Sequence, residues 1–268
     1  VNILNAIEIK NDNKEYRKYQ KKLEKLKSAT KSAQKTFDNG YIDESIAEYN
    51  LLIQEFPNSP ISHYSLGLIY LKTNNYKLAV QNFNQAIEIN PYKSEKYNKS
   101  IISISQRLAK SGDDKFRIKE FNEALALYLE SVAYYPEFVA VLYRITNVYQ
   151  QMNDYENAKI YAEKTLIYDD THYKVMKTLG DLYYKLEDIE GSLKFYNKSI
   201  TTNTNYYKAY YSLAKVLNEQ GDSAEAIAGL DKAISINPQY DKAYILLGVI
   251  YSDNSDYVKA IYNFNKAI

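Results

Sequence analysis

The feature that most constrains this chain is a period of 34 residues, which proline and a small residue both mark. Pro57 and Pro91 lie 34 residues apart, and Pro136 and Pro238 lie three such periods apart. The small residue recurs at steps of 34, 45, 34, 34, 34 and 34, namely Ser45, Ala79, Ala124, Ala158, Ser192, Ala226 and Ala260. Two markers that stay in phase predict a stack of repeats rather than one domain around a single core.

Residues 60–93 indicate what one repeat contains. Apolar residues at helical spacing predict two helices, and the polar pair that starts at Asn74 predicts the turn between them. Pro91 must end the second helix, because proline lacks an N–H group and clashes with the preceding turn. Gly67 lets the two helix backbones approach closely, and we expect Phe83 to fill the space around that contact.

A helix–turn–helix unit of this length, with small and aromatic residues at these positions, resembles the tetratricopeptide repeat. The resemblance extends over almost the whole chain. It implies an all-α fold, a right-handed superhelical solenoid of helix–turn–helix units. It also implies that the first helix of each unit lines a concave groove and that the second helix covers the outside. Ligands of this family are usually extended peptides or helices that lie in the groove.

The repeat frame divides the chain into eight segments. They are the end of a preceding repeat (1–13), repeat one (14–59), repeat two (60–93), repeat three (94–138), repeat four (139–172), repeat five (173–206), repeat six (207–240) and a truncated repeat seven (241–268). The first helices of repeats one and three are predicted to be lengthened, since long stretches there contain neither proline nor glycine. Because the chain begins and ends within a repeat, we expect uncovered apolar faces that favour end-to-end association between copies.

Composition limits the function classes. The formal net charge is +1, which argues against a general nucleic-acid binder, because such proteins usually carry a basic excess. The absence of cysteine excludes disulfides, thiolate metal sites and a cysteine nucleophile. The longest apolar run, residues 244–251, is far shorter than the roughly 20 residues that a membrane helix needs. The compartment stays open between the cytoplasm and the cell envelope.

The sequence predicts no enzyme, no cofactor and no metal site. The chain has only two histidines. His63 occupies a position that is leucine or tyrosine in other repeats, so it is interpreted as a packing residue. His172 follows Asp169 and Asp170 in a turn, but a metal site would need four clustered ligands. There is no glycine-rich phosphate loop.

A basic run precedes the regular repeats. Residues 14–31 contain eight lysines and arginines and two glutamates. A solvated helix face is the simplest interpretation of such a run. An acidic partner, an anionic membrane surface or RNA remains open as an alternative.

The resemblance assigns the partner-binding groove to six positions of each unit. In repeats four to six these positions carry cations and tyrosines, and the candidate site residues are Tyr143, Arg144, Asn147, Lys174, Lys177, Asp181, Tyr184, Lys185, Lys208, Tyr211 and Lys215. The three tyrosines are not at packing positions of the repeat, so the core does not explain them. Rings beside cations favour a peptide with acidic and apolar residues. The subgroup that grips chaperone carboxylates is not indicated. Only Asn147 and Lys208 match its five clamp positions when the clamp starts at repeat four, and Asp181 would repel a carboxylate when it starts at repeat five.

The predicted function is therefore a non-catalytic protein–protein interaction scaffold that binds a peptide or helix of a partner in its groove. One alternative is that the chain is the regulatory or docking region of a larger enzyme, whose catalytic domain lies outside these residues. Another is an anionic-surface or nucleic-acid binder that works through residues 14–31.

Overall fold

The computed structural model describes residues 14–268, and every regular element in that part of the chain is a helix. The α-helices are α1 (Lys14–Asp38), α2 (Ile42–Glu55), α3 (Pro60–Lys72), α4 (Tyr76–Ile89), α5 (Ser94–Arg117), α6 (Phe121–Tyr134), α7 (Val139–Gln151), α8 (Tyr155–Tyr168), α9 (Tyr173–Lys185), α10 (Ile189–Thr202), α11 (Tyr207–Glu219), α12 (Ser223–Ile236), α13 (Asp241–Asp253) and α14 (Tyr257–Lys266). A 3₁₀ turn, Pro91–Lys93, precedes α5. The all-α prediction is confirmed. Residues 1–13, which the repeat frame assigns to a preceding repeat, lie outside the described residues.

The chain divides into two compact units, Val1–Arg107 and Leu108–Ile268. The first contains the hairpins α1–α2 and α3–α4 and the beginning of α5. The second contains the rest of α5 packed on α6, followed by the hairpins α7–α8, α9–α10, α11–α12 and α13–α14. Within each unit, the second helix of a hairpin also contacts the first helix of the next hairpin, as in an α-solenoid. The assignment of repeat boundaries stays a prediction.

The turn inside each hairpin has the same backbone conformation. One residue per turn has a positive φ, between 59° and 93°, and these residues are Gly40, Asn74, Lys119, Asn153, Glu187, Gly221 and Ser255. The N–H of the next residue bonds to the carbonyl five residues earlier, as from Asn75 to Tyr70 at 2.8 Å. This is the Schellman arrangement, which satisfies the last carbonyls of a helix. In four of the turns the next residue is an Asn or Asp that also caps the second helix, as Asp154 does for the N–H of Asn157.

The two helices of a hairpin meet where a glycine faces an aromatic ring. A Cβ atom built on Gly67 would lie 2.7 Å from the ring of Phe83, and one on Gly180 would lie 2.5 Å from the ring of Tyr196. Real Cβ atoms do not approach a ring so closely, so these positions accept only glycine while the ring stays in place. The same arrangement occurs at Gly112 and Gly248. The small residue that the sequence predicts at this contact is therefore confirmed.

Hairpins without this glycine have a different pair at the same separation along the chain. Ala214 is paired with Leu230, and both are fully buried in one core cluster. Thr146 precedes the fully buried Ala162 by the same interval. Ala33 is likewise followed at this interval by Tyr49, and both are fully buried in one cluster, so each of these pairs combines a small residue with a larger one, as close packing requires. The described helices include none that is long and apolar enough to cross a membrane.

The contact at Gly180 predicts that alanine at this position lowers the stability of the protein, although helix propensity alone predicts the opposite. Alanine stabilises a helix interior by about 1 kcal/mol relative to glycine. Gly180→Ala nevertheless should destabilise the protein, because the buried ring of Tyr196 must move, and overpacking of this kind costs about 1–3 kcal/mol. Urea denaturation followed by circular dichroism measures the change.

Gly229→Ala is the matched control, since Gly229 also lies inside a helix but its nearest obstacle, the Cβ of Ala214, is 3.3 Å away. This variant should be as stable as the wild type or more stable. Equal midpoints for the two variants would contradict the proposed contact.

Candidate functional site

The candidate groove residues lie in the second unit, on the first helices α7, α9 and α11. Helix α9 contacts α11, and α11 contacts α13. A concavity of about 360 Å³ opens between α9 and α11, and its walls include the end of α7 and the start of α8. It is lined by Gln150, Tyr155, Asp181, Tyr184, Lys185, Tyr196, Tyr211, Ser212, Lys215 and Val216. We refer to it as the α9–α11 concavity.

The structure brings five of the eleven candidate residues together in this concavity. They are Asp181, Tyr184, Lys185, Tyr211 and Lys215. The other six do not line it: Tyr143, Arg144, Asn147, Lys174, Lys177 and Lys208. Tyr155 and Tyr196 also line the concavity but were not predicted, because the resemblance assigns the groove to first helices and both residues lie on second helices.

Asp181 has two neighbours within the chain that satisfy its carboxylate. Its Oδ2 lies 2.6 Å from the ammonium of Lys177, and its Oδ1 accepts a hydrogen bond of 2.8 Å from the hydroxyl of Tyr196. Burial raises the pKa of Tyr196, and the nearby carboxylate raises it further, because both disfavour the phenolate. Lys177 is therefore a partner of Asp181 before any ligand arrives.

Glu219, which does not line the concavity, has contacts with two residues that do. Its Oε2 accepts a hydrogen bond of 2.7 Å from the hydroxyl of Tyr184, and its Oε1 lies 3.8 Å from the ammonium of Lys215. That ammonium is also 5.0 Å from the centre of the Tyr184 ring, within the range of a cation–π interaction. The hydrogen bond to Glu219 raises the pKa of Tyr184. These contacts fix the orientation of the Tyr184 ring, which lines the concavity.

Arg144 is the third cation with an acid partner. Its Nε lies 2.9 Å from Oδ1 of Asp113, which also accepts a hydrogen bond of 2.7 Å from Tyr128. Among the residues that the structure describes, no ion pair involves Lys174, Lys185 or Lys208. The positive charge of the groove is thus smaller than the count of cations suggested.

The interpretation that packing does not account for the three tyrosines is wrong for Tyr143 and Tyr211. Tyr143 packs against a core cluster, and its ring centre is 5.3 Å from that of His172. Tyr211 packs against another core cluster, with its ring edge-to-face on Tyr240 at 5.3 Å. The physical reason is that residues just before α9 and α13 are aromatic and supply a packing surface. Only Tyr184 belongs to neither cluster.

Further ring pairs join successive hairpins. Tyr173 meets Tyr206 at 4.9 Å, and Tyr207 meets Tyr240 at 4.8 Å, both edge-to-face. Aromatic pairs in this geometry stabilise beyond their buried area. Burial, with Tyr143 nearby, raises the pKa of Tyr206 to about 12, and burial, with Tyr211 nearby, raises the pKa of Tyr240 to about 12. The signal in the sequence is a pair of tyrosines separated by almost one repeat.

His172 and His63 both have structural roles here. His172 is the N-cap of α9, where its Nδ1 accepts a hydrogen bond of 3.3 Å from the N–H of Val175. His63 is half-buried, with its Nδ1 3.4 Å from the side-chain oxygen of Asn82.

Comparison with known protein families gives several matches. Sequence models described as tetratricopeptide repeats match residues 60–93, 139–166, 175–206 and 195–228, and one described as a TPR repeat matches 215–255. The matched residues make up more than half of the chain. No curated protein sequence matches the chain.

Solved structures with a similar fold include three proteins. MamA is 26% identical, with a TM-score of 0.54, and the alignment covers 58% of this chain and 91% of MamA. The C-terminal part of a TPR repeat-containing protein from Cytophaga hutchinsonii is 20% identical, with a TM-score of 0.51, covering 89% of this chain and 93% of that one. YrrB, described as a TPR protein with an unusual peptide-binding site, is 23% identical, with a TM-score of 0.50, covering 71% and 92%. The last two likenesses are evidence of the fold alone.

The raised pKa values predict a loss of stability in alkali. An unfolded tyrosine ionises near pH 10, whereas Tyr206 and Tyr240 have a pKa of about 12 in the folded protein. Their contribution is fully present below pH 10 and is lost as pH rises through 12, by up to about 1.4 kcal/mol per pH unit for each ring. The free energy of unfolding should therefore fall between pH 10 and 12. The fall should be shallower in Tyr206→Phe with Tyr240→Phe.

Urea denaturation at pH 9, 10 and 11 measures this slope. Tyr257→Phe with Tyr262→Phe is the control, because both side chains are exposed on α14. A double variant of Tyr206 and Tyr240 with the wild-type slope would contradict the burial of these rings.

Proposed function

Because the chain belongs to the tetratricopeptide repeat family, we propose that it is a non-catalytic scaffold that binds a peptide or helix of a partner protein in the groove of its second unit. The ligand is held by the α9–α11 concavity. Proteins with this repeat generally act through protein–protein contacts, and YrrB, which shares the fold, is described as having a peptide-binding site.

The observation that carries the proposal is the composition of the concavity. Half-buried rings of Tyr184 and Tyr211 lie at its wall, and exposed Lys185 and Lys215 flank them. Rigid aromatic rings offer a large contact area at a low entropic cost, which suits the burial of an apolar side chain. A volume of about 360 Å³ lies near the lower end of the range for ligand sites and has room for one side chain of a peptide.

The cations that have no acid partner within the chain indicate the charge of the ligand. Lys177, Lys215 and Arg144 have acid partners in the chain. Lys185 and Lys208 have no ion pair among the described residues, so an acidic side chain of a ligand meets them without displacing another carboxylate. The ligand that fits best carries one apolar residue for the concavity and an acidic residue beside it.

The test is a selection of dodecapeptides from a displayed random library on the intact protein, followed by affinity measurement for the best binders. Lys185→Glu with Lys208→Glu should weaken these peptides about tenfold, which is about 1.4 kcal/mol. Lys194→Glu with Lys198→Glu is the matched control, since it makes the same charge change on exposed positions of α10. It should leave the affinity within about twofold.

Both double variants should melt like the wild type by circular dichroism, because all four lysines are exposed. Equal affinities for the two variants would mean that the peptides bind elsewhere. A library that yields no binder would also contradict the proposal.

A further inference from the structure

The first unit has an edge at which one helix extends beyond its partner. Helix α1 has 25 residues, whereas α2 has 14, and an ion pair joins Glu55 at the end of α2 to Lys25 of α1. Residues 14–24 therefore extend past the end of α2, by about 16 Å at a rise of 1.5 Å per residue. We refer to these residues as the α1 extension.

The α1 extension continues the side of the helix that packs on α2. Leu26, Ala29 and Ala33 pack in the core cluster that α1 shares with α2. Tyr19 and Lys22 lie about two turns before this cluster at the same heptad positions, so they are on the same side of α1. Because α2 ends before it reaches them, Tyr19 is 64% exposed and Lys22 is exposed as well.

The α1 extension is strongly basic, and its exposed lysines have no acid partner. Residues 14–25 contain six Lys or Arg and two Glu. Lys18, Lys21 and Lys22 are exposed, and none of the three forms an ion pair with any residue that the structure describes. An anionic partner therefore meets these charges without displacing a carboxylate of the chain.

A second basic and aromatic segment lies at the same edge of the first unit. The 3₁₀ turn Pro91–Lys93 follows the end of α4, and it carries the fully exposed Tyr92 beside the exposed Lys93. Successive helices of the unit are joined by short links and run in opposite directions, so α2 and α4 both end at this edge. The nearby carboxylate of Glu95 is paired with Lys99 and leaves the charge of Lys93 uncompensated.

We propose that this edge of the first unit binds the surface of a lipid bilayer that contains anionic lipids. The lysines are attracted by the negative surface potential of such a bilayer, and clusters of several cations on a helix are typical of proteins that bind it. The two tyrosine rings lie at the level of the headgroups, where amphipathic rings are favoured. We refer to this surface as the basic edge, and it consists of Lys18, Tyr19, Lys21, Lys22, Tyr92 and Lys93.

The shape of the basic edge favours a bilayer over the other polyanions. Its lysines and rings stand on a helix and a turn that project from the unit, and a flat surface contacts several projecting groups at once. Single-stranded RNA is held in a basic groove, with successive bases stacked on neighbouring rings. Tyr19 precedes the first hairpin and Tyr92 follows the second, so the two rings do not form such a track. The basic edge is separate from the α9–α11 concavity and does not depend on it.

The test is flotation of the full chain with unilamellar vesicles at physiological ionic strength. Vesicles made from two parts phosphatidylcholine and one part phosphatidylglycerol should bind the protein at least tenfold more tightly than vesicles of phosphatidylcholine alone. Binding should weaken as salt is added, because salt screens exposed charges. Lys18→Glu with Lys22→Glu should weaken binding to the anionic vesicles at least tenfold.

Lys194→Glu with Lys198→Glu is the matched control for charge, because it makes the same change at the same spacing on exposed positions of α10 in the second unit. It should weaken vesicle binding less than threefold. Both double variants should melt like the wild type by circular dichroism, since all four lysines are exposed.

A second pair of variants tests the rings. Tyr19→Ser with Tyr92→Ser should weaken binding to the anionic vesicles at least threefold. Tyr41→Ser with Tyr257→Ser is the control, because both tyrosines are exposed next to turns inside hairpins and not at the basic edge. It should leave the affinity unchanged.

Three outcomes would overturn the proposal. Equal binding to anionic and neutral vesicles, or no binding to either, would remove the site. Equal losses for the two lysine pairs, or for the two tyrosine pairs, would reduce the interaction to diffuse attraction that does not involve this edge. Tighter binding of a single-stranded oligouridylate RNA or of an oligoglutamate peptide than of vesicles, lost in Lys18→Glu with Lys22→Glu, would assign the basic edge to a different partner.

Discussion

The structure depends on one repeated contact, in which a small residue on one helix of a hairpin meets a larger one on the other helix. The small residue is on the first helix except in the α7–α8 hairpin, where Thr146 precedes Ala162. Helix axes lie about 8–10 Å apart, and the residues at the contact decide where in that range they fall. At Gly180 the ring of Tyr196 lies directly over the helix backbone, so the two helices pack with the ring between them. The stack of repeats depends on this contact, because it holds each hairpin together. Each hairpin then buries its remaining apolar face against its neighbours.

The same contact influences the chemistry of the groove. Where the large residue is tyrosine, the residue after the glycine is aspartate, as in Gly112-Asp113 with Tyr128 and Gly180-Asp181 with Tyr196. The hydroxyl of each tyrosine donates to that aspartate. Where the large residue is phenylalanine, the following residue is apolar, as in Gly67-Leu68 with Phe83 and Gly248-Val249 with Phe264. A buried hydroxyl thus holds an aspartate in place, and that aspartate in turn pairs with Arg144 or Lys177.

Much of the fold could be predicted from the sequence, because it depends on local chemistry at a fixed period. Pro91 ends α4, and the small residue at Gly67 marks the helix contact. The candidate site was predictable only as a set of positions on one face. Which side chains pair depends on neighbours one repeat away, such as Tyr184 with Glu219, which lie 35 residues apart. The 34-residue repeat frame gives no information on these pairs. The prediction therefore overestimated the unpaired positive charge of the groove and missed the packing of Tyr143 and Tyr211.

The most direct test of the central contact is a double-mutant cycle on Gly180 and Tyr196, measured by urea denaturation. Combining Gly180→Ala with Tyr196→Leu recreates the pair found at Ala214 and Leu230. The double variant should be more stable than the sum of the single changes predicts, by about 1–3 kcal/mol, because the smaller side chain makes room for the added methyl group. Additive effects, within about 0.5 kcal/mol, would mean that the two residues do not constrain each other and would contradict the account.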